Sequence, residues 1–309
     1  MYHHVYSLEA GYNETVTIFF FGDLQYGAEG FNKEAWEEFS RQVKTTKNAY
    51  IIGLGDYEDW LRPTMRARLY GSLSHDDSAR KQLDDKVRTS QDKIIDMLDF
   101  MRGRIIGLHT GHHDWEFSSG MSSTQRLSEA LGTTFLGWQA STRVSMKIKT
   151  PGEYRAPTYT YTIISTHGNS NARRIGSSTL WLENNLMQGW VADQYVMGHG
   201  CKSANWAPVE RSIIRRSGPP GAITVVPRCL LVGGFHNGYT NGWESSYVER
   251  SGFVPQPVMW GIVRLKITTD KFMATQGRNG RGEKNLVLHI ETLNQGKDAQ
   301  AFLYEGTGK

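Results

Sequence analysis

Three short apolar runs, each closed by glycine and then by a titratable side chain, constrain this chain more than any other feature. They are "TVTIFFFGD", ending at Asp23, "NAYIIGLGD", ending at Asp56, and "RIIGLHTGHHD", which carries His112, His113 and Asp114. Runs this short and this apolar read as strands buried on both faces. Between the first two, "NKEAWEEFSRQVKTT" sets Ala35, Trp36, Phe39 and Val43 at helical spacing with charges between them. Between the second and third, a charged segment from about Asp76 to Phe100 carries an apolar stripe of Leu83, Val87, Ile94, Ile95 and Leu98. Alternating strand and helix predicts a sheet with partly parallel strands and helices on its face.

After residue 138 the pattern changes. "STRVSMKIKT" and "TYTYTIISTHG" alternate polar and apolar residues and are joined by the turn-like "PGEYRAP". A helix is expected at "STLWLENNLMQGW", and strands at "DQYVMGHG", "APVERSIIRR", "AITVVPRCLLVGG", "PVMWGIVRLKITT" and "NLVLHIETL", the last two joined through the turn-like "QGRNGRGEK". This β-rich half completes a second sheet. Residues 1–13 read as a loosely packed lead, 14–292 as one domain, and 293–309 as a polar C-terminal tail.

Composition narrows the class. With 309 residues, 39% of them hydrophobic, the chain can bury a large core. Its longest apolar run, "VTIFFFG", is far shorter than a bilayer span, and no basic segment precedes an apolar one at the start, so neither a membrane anchor nor a secretory signal is expected. Two cysteines, Cys201 and Cys229, form no disulfide framework, which suits a reducing, cytoplasmic setting. A net charge of +4 is compatible with a phosphate-bearing partner without demanding one.

Chemistry-bearing residues gather just past the strand ends: Asp23 and Gln25 in "GDLQYG", Asp56 in "GDYED", His112, His113 and Asp114 in "TGHHD", His167 in "STHGN", and His199 with Cys201 in "MGHGC". In open α/β sheets, ligands bind at the carboxyl ends of strands. Five strand ends would thus deliver aspartate and histidine to one rim, where glycines allow sharp turns. A single histidine at a strand end is usually structural, and His3, His4, His75, His109 and His289 are read that way. Many acidic and imidazole groups in one place need a cation to offset them. Mixed oxygen and nitrogen donors suit Mn, Fe, Zn or Ni rather than Ca. There are more donors than one ion requires, which points to two ions sharing a carboxylate.

The ordered series "GD", "GD", "G-x-H-D", "H" and "GH", over roughly residues 15 to 265, resembles the calcineurin-like metallophosphoesterase superfamily. The downstream "VGGFHNGYTNGWESSYVERSGFVPQP" resembles a subgroup common in bacteriophage genomes, which would place the chain in the cytoplasm of an infected host. The resemblance implies an α/β (α+β) fold, a four-layer αββα sandwich of two mixed sheets flanked by helices, around a two-metal centre. Carried over by position, Asp23 would bind the first ion and Asp56 would bridge both. His112, in the family's asparagine position, would hold the second with His167 and His199. His113 would be the unligated general acid, oriented by Asp114.

Three positions depart from the family pattern. Gln25 stands where a histidine is usual in the first motif, His112 where asparagine is usual, and Cys201 where the last motif has histidine. Gln25 and Cys201 would both fall on the first ion, replacing imidazoles with a weak neutral oxygen and a soft thiolate. The second site keeps its full set, so the first is expected to be weak, retuned toward Zn or Fe, or empty, with a single occupied site as the alternative to two. The implied reaction is hydrolysis of a phosphodiester or phosphomonoester by a metal-activated hydroxide, with proton donation from His113 typically worth ~10²–10⁴ in rate.

Phosphate contacts are sought at Arg62, Arg66 and Arg68, at Arg173 and Arg174 ahead of the predicted helix, and at His236 in "GGFHNGY". Glu58 and Asp59 are expected to support the loop rather than bind metal. Trp60, Trp115, Trp138 and Trp206 are expected in packing or lining roles, with base stacking as the alternative. Two other readings stand beside the phosphoesterase: a DNA exo- or endonuclease of the same superfamily, and a phosphate- or nucleic-acid-binding protein that has lost turnover. The "HD" pair at His113 and Asp114 favours an enzyme, because a pure binder needs no general acid.

Overall fold

The computed structural model describes residues 1–28, 30–60, 77–149, 158–169, 175–199, 203–207, 211–214, 222–225, 227–237, 258–269 and 286–296. Arg62, Arg66, Arg68, Arg173, Arg174 and Cys201 lie outside them, as does His75.

The apolar run at Thr15–Phe21 forms strand β2, and its side chains alternate between two different cores. Ile18 and Phe20 face a second sheet, while Phe19 and Phe21 face helices. The same division separates Ile52 from Ile51 in β3 (Ala49–Gly53). Helix α1 (Lys33–Thr45) connects these two strands. It starts where the Asn32 side chain accepts the Ala35 amide at 2.9 Å, and it buries Ala35, Trp36, Phe39 and Val43. Helix α2 (Asp77–Leu98) leads to β4 (Ile105–His109). Helix α3 (Ser123–Leu131) precedes β5 (Phe135–Gly137). Parallel neighbours need such crossovers, and β2, β3, β4 and β5 pair parallel in that order. Strands β13 (Met259–Thr269) and β14 (Leu286–Gly296) extend this sheet antiparallel from β2.

The other sheet runs in the order β1-β6-β7-β8-β12-β9. It comprises β1 (Tyr2–Gly11), β6 (Gln139–Lys149), β7 (Thr158–Thr166), β8 (Gln194–Met197), β12 (Arg228–Leu231) and β9 (Ala204–Trp206). It is mixed: β6 and β7 are antiparallel, whereas β7, β8 and β12 run parallel. A separate two-stranded unit joins β10 (Arg211–Ile214) to β11 (Ala222–Val225). The two large sheets pack face to face through Ile18, Phe20, Ile52, Val144, Ile163, Val196 and Val263. Helices α1, α2 and α3 cover the outer face of the β2 sheet through Phe39, Ile94, Leu98 and Leu127. Helix α4 (Ile175–Leu182) and the π-helical turn Glu183–Met187 cover β7, β8 and β12 on the opposite side. The fold is therefore a four-layer αββα sandwich of two mixed sheets, as expected.

Two boundaries are corrected. The first 13 residues are no loose lead: Tyr2–Gly11 pairs parallel with β6 along its whole length, and Leu8 and Ala10 are buried between the sheets. The strand escapes notice because only one of its faces is apolar. The polar tail does not start at residue 293 either, since β14 continues to Gly296 against Met259. Helix α3, β5 and β9 were also unmarked by periodicity. The Ser122 and Gln125 capping box is the local signal that locates α3.

Candidate metal centre

The loops that leave β3, β4, β7 and β8 turn into one another at the strands' carboxyl ends. There Asp56, His112, His167 and His199 each offer one ligand atom, all within 4.8 Å of one another. His167 Nε2 stands 3.0 Å from His112 Nδ1 and 3.4 Å from Asp56 Oδ2. Two donors on a common transition-metal ion, each about 2.0–2.1 Å from it, are separated by about 3.0–3.4 Å, so both spacings fit a shared ion. The imidazole rings of His112 and His199 lie 4.1 Å apart between centroids, and those of His167 and His199 4.8 Å.

Backbone geometry enforces this convergence. Asp23, Gln25, Asp56 and His199 all adopt positive φ, between 42° and 53°. Aspartate and histidine tolerate this region better than most residues, and non-glycine residues held there cluster at functional sites. Gly55 (φ 98°) and Gly111 make room: a Cβ on Gly111 would stand 2.0 Å from Asp56 Oδ1, and one on Gly55 2.8 Å from His167 Nδ1. The turns are tied together as well. The Asp23 amide donates to the Gly55 carbonyl at 3.0 Å, and the Gln25 amide to the Asp56 carbonyl at 2.9 Å.

The polar atoms at the centre fit a cation. Asp23 Oδ2 and Asp56 Oδ2 are buried without a hydrogen-bond partner among the described residues. Of those residues, Asp56 Oδ2 has only the ion-pair contact with His167 Nε2, and two buried carboxylates this close cost stability unless a cation offsets them. Burial pushes the Asp23 carboxyl up to about 6, against the pull of His167 and with the push of Asp56. Burial also opposes ionisation of Asp56, but His167 outweighs it and holds that carboxyl below the usual range. His167 is fixed by its Nδ1–H, which donates to the Leu54 carbonyl at 2.7 Å and turns Nε2 toward the cluster. Burial disfavours its charge, yet Asp56 and then Asp23 raise it to about 9. His199 is driven down to about 3, first by burial and then by His167 and His112. His112 is lowered by burial and by His167. At neutral pH these two imidazoles offer lone pairs, as ligation requires.

His113 is not one of these grouped donors. Its backbone N–H donates to Asp56 Oδ1 at 2.8 Å. Its ring Nδ1 lies 2.7 Å from the Trp60 carbonyl and 3.0 Å from Asp59 Oδ1. Burial works against its proton, but Asp59 and Asp56 hold its pKa above the ordinary histidine value. Asp114, expected to orient His113, is committed elsewhere. It accepts from Thr110 Oγ1 at 2.5 Å, from Ser123 Oγ, and from the Thr124 amide at 2.8 Å, which satisfies the first turn of α3. That expectation is therefore corrected: Asp59 supplies the carboxylate. Nothing in the local sequence signals this pairing, because Asp59 and His113 come from different loops.

Asp23 adjoins the four-donor group without belonging to it, and it accepts a hydrogen bond from the His199 backbone. Gln25 is half-buried beside it. His236 forms a bridge with Phe31 and packs against Gly30, where a Cβ would meet its ring at 2.2 Å. It is not among the grouped donors. His109 is structural: its Nδ1–H donates to the Gly137 carbonyl at 2.9 Å and its Nε2 accepts from Ser165 Oγ at 2.7 Å. Trp115 is buried and donates to Asp84, and Trp206 donates to Glu183. Trp138 instead borders the imidazoles, 4.7 Å from His112 and 5.2 Å from His167 between ring centroids. Among the described residues, no helix is long and apolar enough to cross a membrane.

No protein-family model and no curated protein matches the chain. Among solved structures, it is similar to a conserved uncharacterized protein of Streptococcus pneumoniae described as a predicted phosphoesterase, at 12% identity over 91% of this chain and 99% of that one, with a TM-score of 0.33. It is also similar to Entamoeba histolytica Vps29 complexed with zinc, at 9% identity over 90% and 99% of the two chains, TM-score 0.34. A third is GAP50 of Plasmodium, the anchor in the inner membrane complex, at 10% identity over 94% of each chain, TM-score 0.37.

Proposed function

We propose that the protein is a metal-dependent phosphoesterase of the calcineurin-like type that hydrolyses a phosphodiester or phosphomonoester. The observation that carries this reading is the convergence of Asp56, His112, His167 and His199 beside an imidazole, His113, that is held by a carboxylate and takes no part in the donor group. A metal-binding site alone would need only the four donors.

Asp56, His112, His167 and His199 would hold one divalent ion, and Asp23 with Gln25 and Cys201 would complete a second, weaker site around the shared Asp56. Three imidazoles to one carboxylate suit Zn, Fe or Ni at least as well as Mn. Such ions, when bound, supply a water of lowered pKa and offset charge on phosphoryl oxygens. The chain's own groups supply the rest. His167 keeps its orientation through Leu54, and the His113 amide steadies Asp56. His113, with Nδ1 on Asp59 and the Trp60 carbonyl, presents Nε2 as the nitrogen that passes a proton to the departing alkoxide. Arg62, Arg173, Arg174 and His236 are assigned to the substrate phosphate within the same proposal. The bacteriophage-type subgroup and an infected host's cytoplasm rest on sequence resemblance alone.

The deciding experiment measures metal content of the purified protein and hydrolysis of bis-p-nitrophenyl phosphate with Mn or Zn added. Metal-dependent turnover that His113→Ala removes supports the enzyme. A tightly held ion with no turnover of any mono- or diester would favour the phosphate-binding reading instead. Degradation of DNA in preference to small diesters would select the nuclease form.

A further inference from the structure

Among the described residues, most large apolar side chains lie in buried clusters, and Trp138 is one of the exceptions, at a telling place. It belongs to none of those clusters, and 37% of its surface is exposed. It sits where the chain passes from β5 in one sheet to β6 in the other, just after Gly137, whose φ of 65° makes the turn. The backbone there is held firmly: the Trp138 carbonyl accepts from the His167 amide at 3.2 Å and from Thr166 Oγ1 at 3.1 Å. Any residue could supply that carbonyl. The indole itself stands nearly perpendicular to the rings of His112 (89°) and His167 (76°), so two of the grouped donors brace it edge-on.

An exposed indole loses the free energy its burial would contribute. Scattered apolar side chains on a surface need no explanation. One braced against two imidazoles of the donor group, on a backbone with little freedom to move, is placed to meet whatever those donors bind. A fixed aromatic face beside an anion site recognises a planar ring joined to the anion, because stacking uses the π-face common to all such rings.

We infer that Trp138 is a specificity-determining residue: its indole stacks on a planar ring, aryl or nucleobase, carried by the alcohol part of the phosphoester. This rests on the phosphoesterase reading above. It makes the preferred substrate a ring-bearing ester rather than a sugar or alkyl phosphate.

Non-hydrolysable phosphonates test it in the full-length, metal-loaded protein, with binding followed by calorimetry. Methylphosphonate reports the anion site alone, and phenylphosphonate and cyclohexylphosphonate add a flat or a puckered ring of similar size. The expected result is tighter binding of phenylphosphonate than of cyclohexylphosphonate. Trp138→Ala should weaken the phenyl ligand by about five- to 150-fold, the range that stacking energies imply, leave methylphosphonate within about threefold, and keep the metal content. Trp138→Phe, which retains an aromatic face, should keep most of the preference and guards against misfolding as an explanation. A second pair, 5′-deoxyadenosine 5′-phosphonate against 5-deoxyribose 5-phosphonate, separates nucleobase from simple aryl recognition; a ring preference in either pair supports the inference.

Equal affinity for the phenyl and cyclohexyl ligands and for both nucleoside-type ligands would overturn it. Loss of metal from Trp138→Ala would also overturn it, by assigning the indole to shielding the histidines. If methylphosphonate itself fails to bind, the phosphoesterase reading falls first.

Discussion

Asp59 Oδ1 lies 3.0 Å from Nδ1 of His113, while Asp114, next to His113 in the chain, bonds the start of α3 instead. This division separates two effects that sequence adjacency would merge. Asp59→Asn should lower kcat by about 10- to 100-fold, as loss of an orienting partner typically does, with metal content unchanged. It should also move the pH profile. Asp59 raises the His113 pKa, and a general acid fails as pH rises through its pKa. In Asp59→Asn the alkaline fall in rate should therefore begin at lower pH. An unchanged profile would remove Asp59 from the reaction.

Asp114→Asn should instead act on stability. Its carboxylate gathers the Thr110, Ser123 and Thr124 donors, and losing charge-assisted bonds of this kind costs about 1.5–3 kcal/mol. A lowered denaturation midpoint with a near-native pH profile is the outcome to look for.

His113→Ala and Asp56→Ala should part company in metal content. The His113 contact with Asp56 runs through its backbone N–H, which alanine retains, so that variant should keep its ion and lose about 10²–10⁴ in kcat. Asp56→Ala removes a donor and should lose both. Elemental analysis of the two proteins checks this, and an apo His113→Ala would put the ring among the ligands.

Gly111→Ala tests the space at the centre. The added methyl would lie 2.0 Å from Asp56 Oδ1 and 2.4 Å from the Asp56 amide nitrogen, one of them backbone that cannot swing aside. Metal binding should be lost and stability should fall by at least the ~1–3 kcal/mol typical of overpacking.

The pH dependence of stability should carry a contribution from His109. Burial drives its pKa down to about 4, so the folded form holds it neutral, with Nε2 accepting from Ser165. Between pH 6.5 and 4 the unfolded chain binds the proton and the folded one does not. Stability is therefore complete above about 6.5 and declines as pH falls toward 4, by about 3 kcal/mol. Urea unfolding at pH 7.5 and 5 should show about 2 kcal/mol of this loss in the native protein and a smaller loss in His109→Gln.

Much of this molecule is legible without coordinates, because the determining interactions are local. The alternation of Ile18, Phe19, Phe20 and Phe21 marks a strand with two buried faces, the spacing of Trp36, Phe39 and Val43 marks a helix, and glycine before Asp56 and His112 marks sharp turns at strand ends. The αββα sandwich was implied by the family resemblance, whereas a sheet with helices on its face, and polar residues gathered at its strand ends, follow from patterns read over a few residues. What crosses between loops does not. Tertiary packing alone decided that Asp59 rather than Asp114 meets His113, that the first residues form β1 against β6, and that Trp138 stands against His112 and His167. Those outcomes depend on how separate crossovers stack on the two sheets. Spacing along a chain says which way a side chain points from its own element, but not which distant side chain waits there.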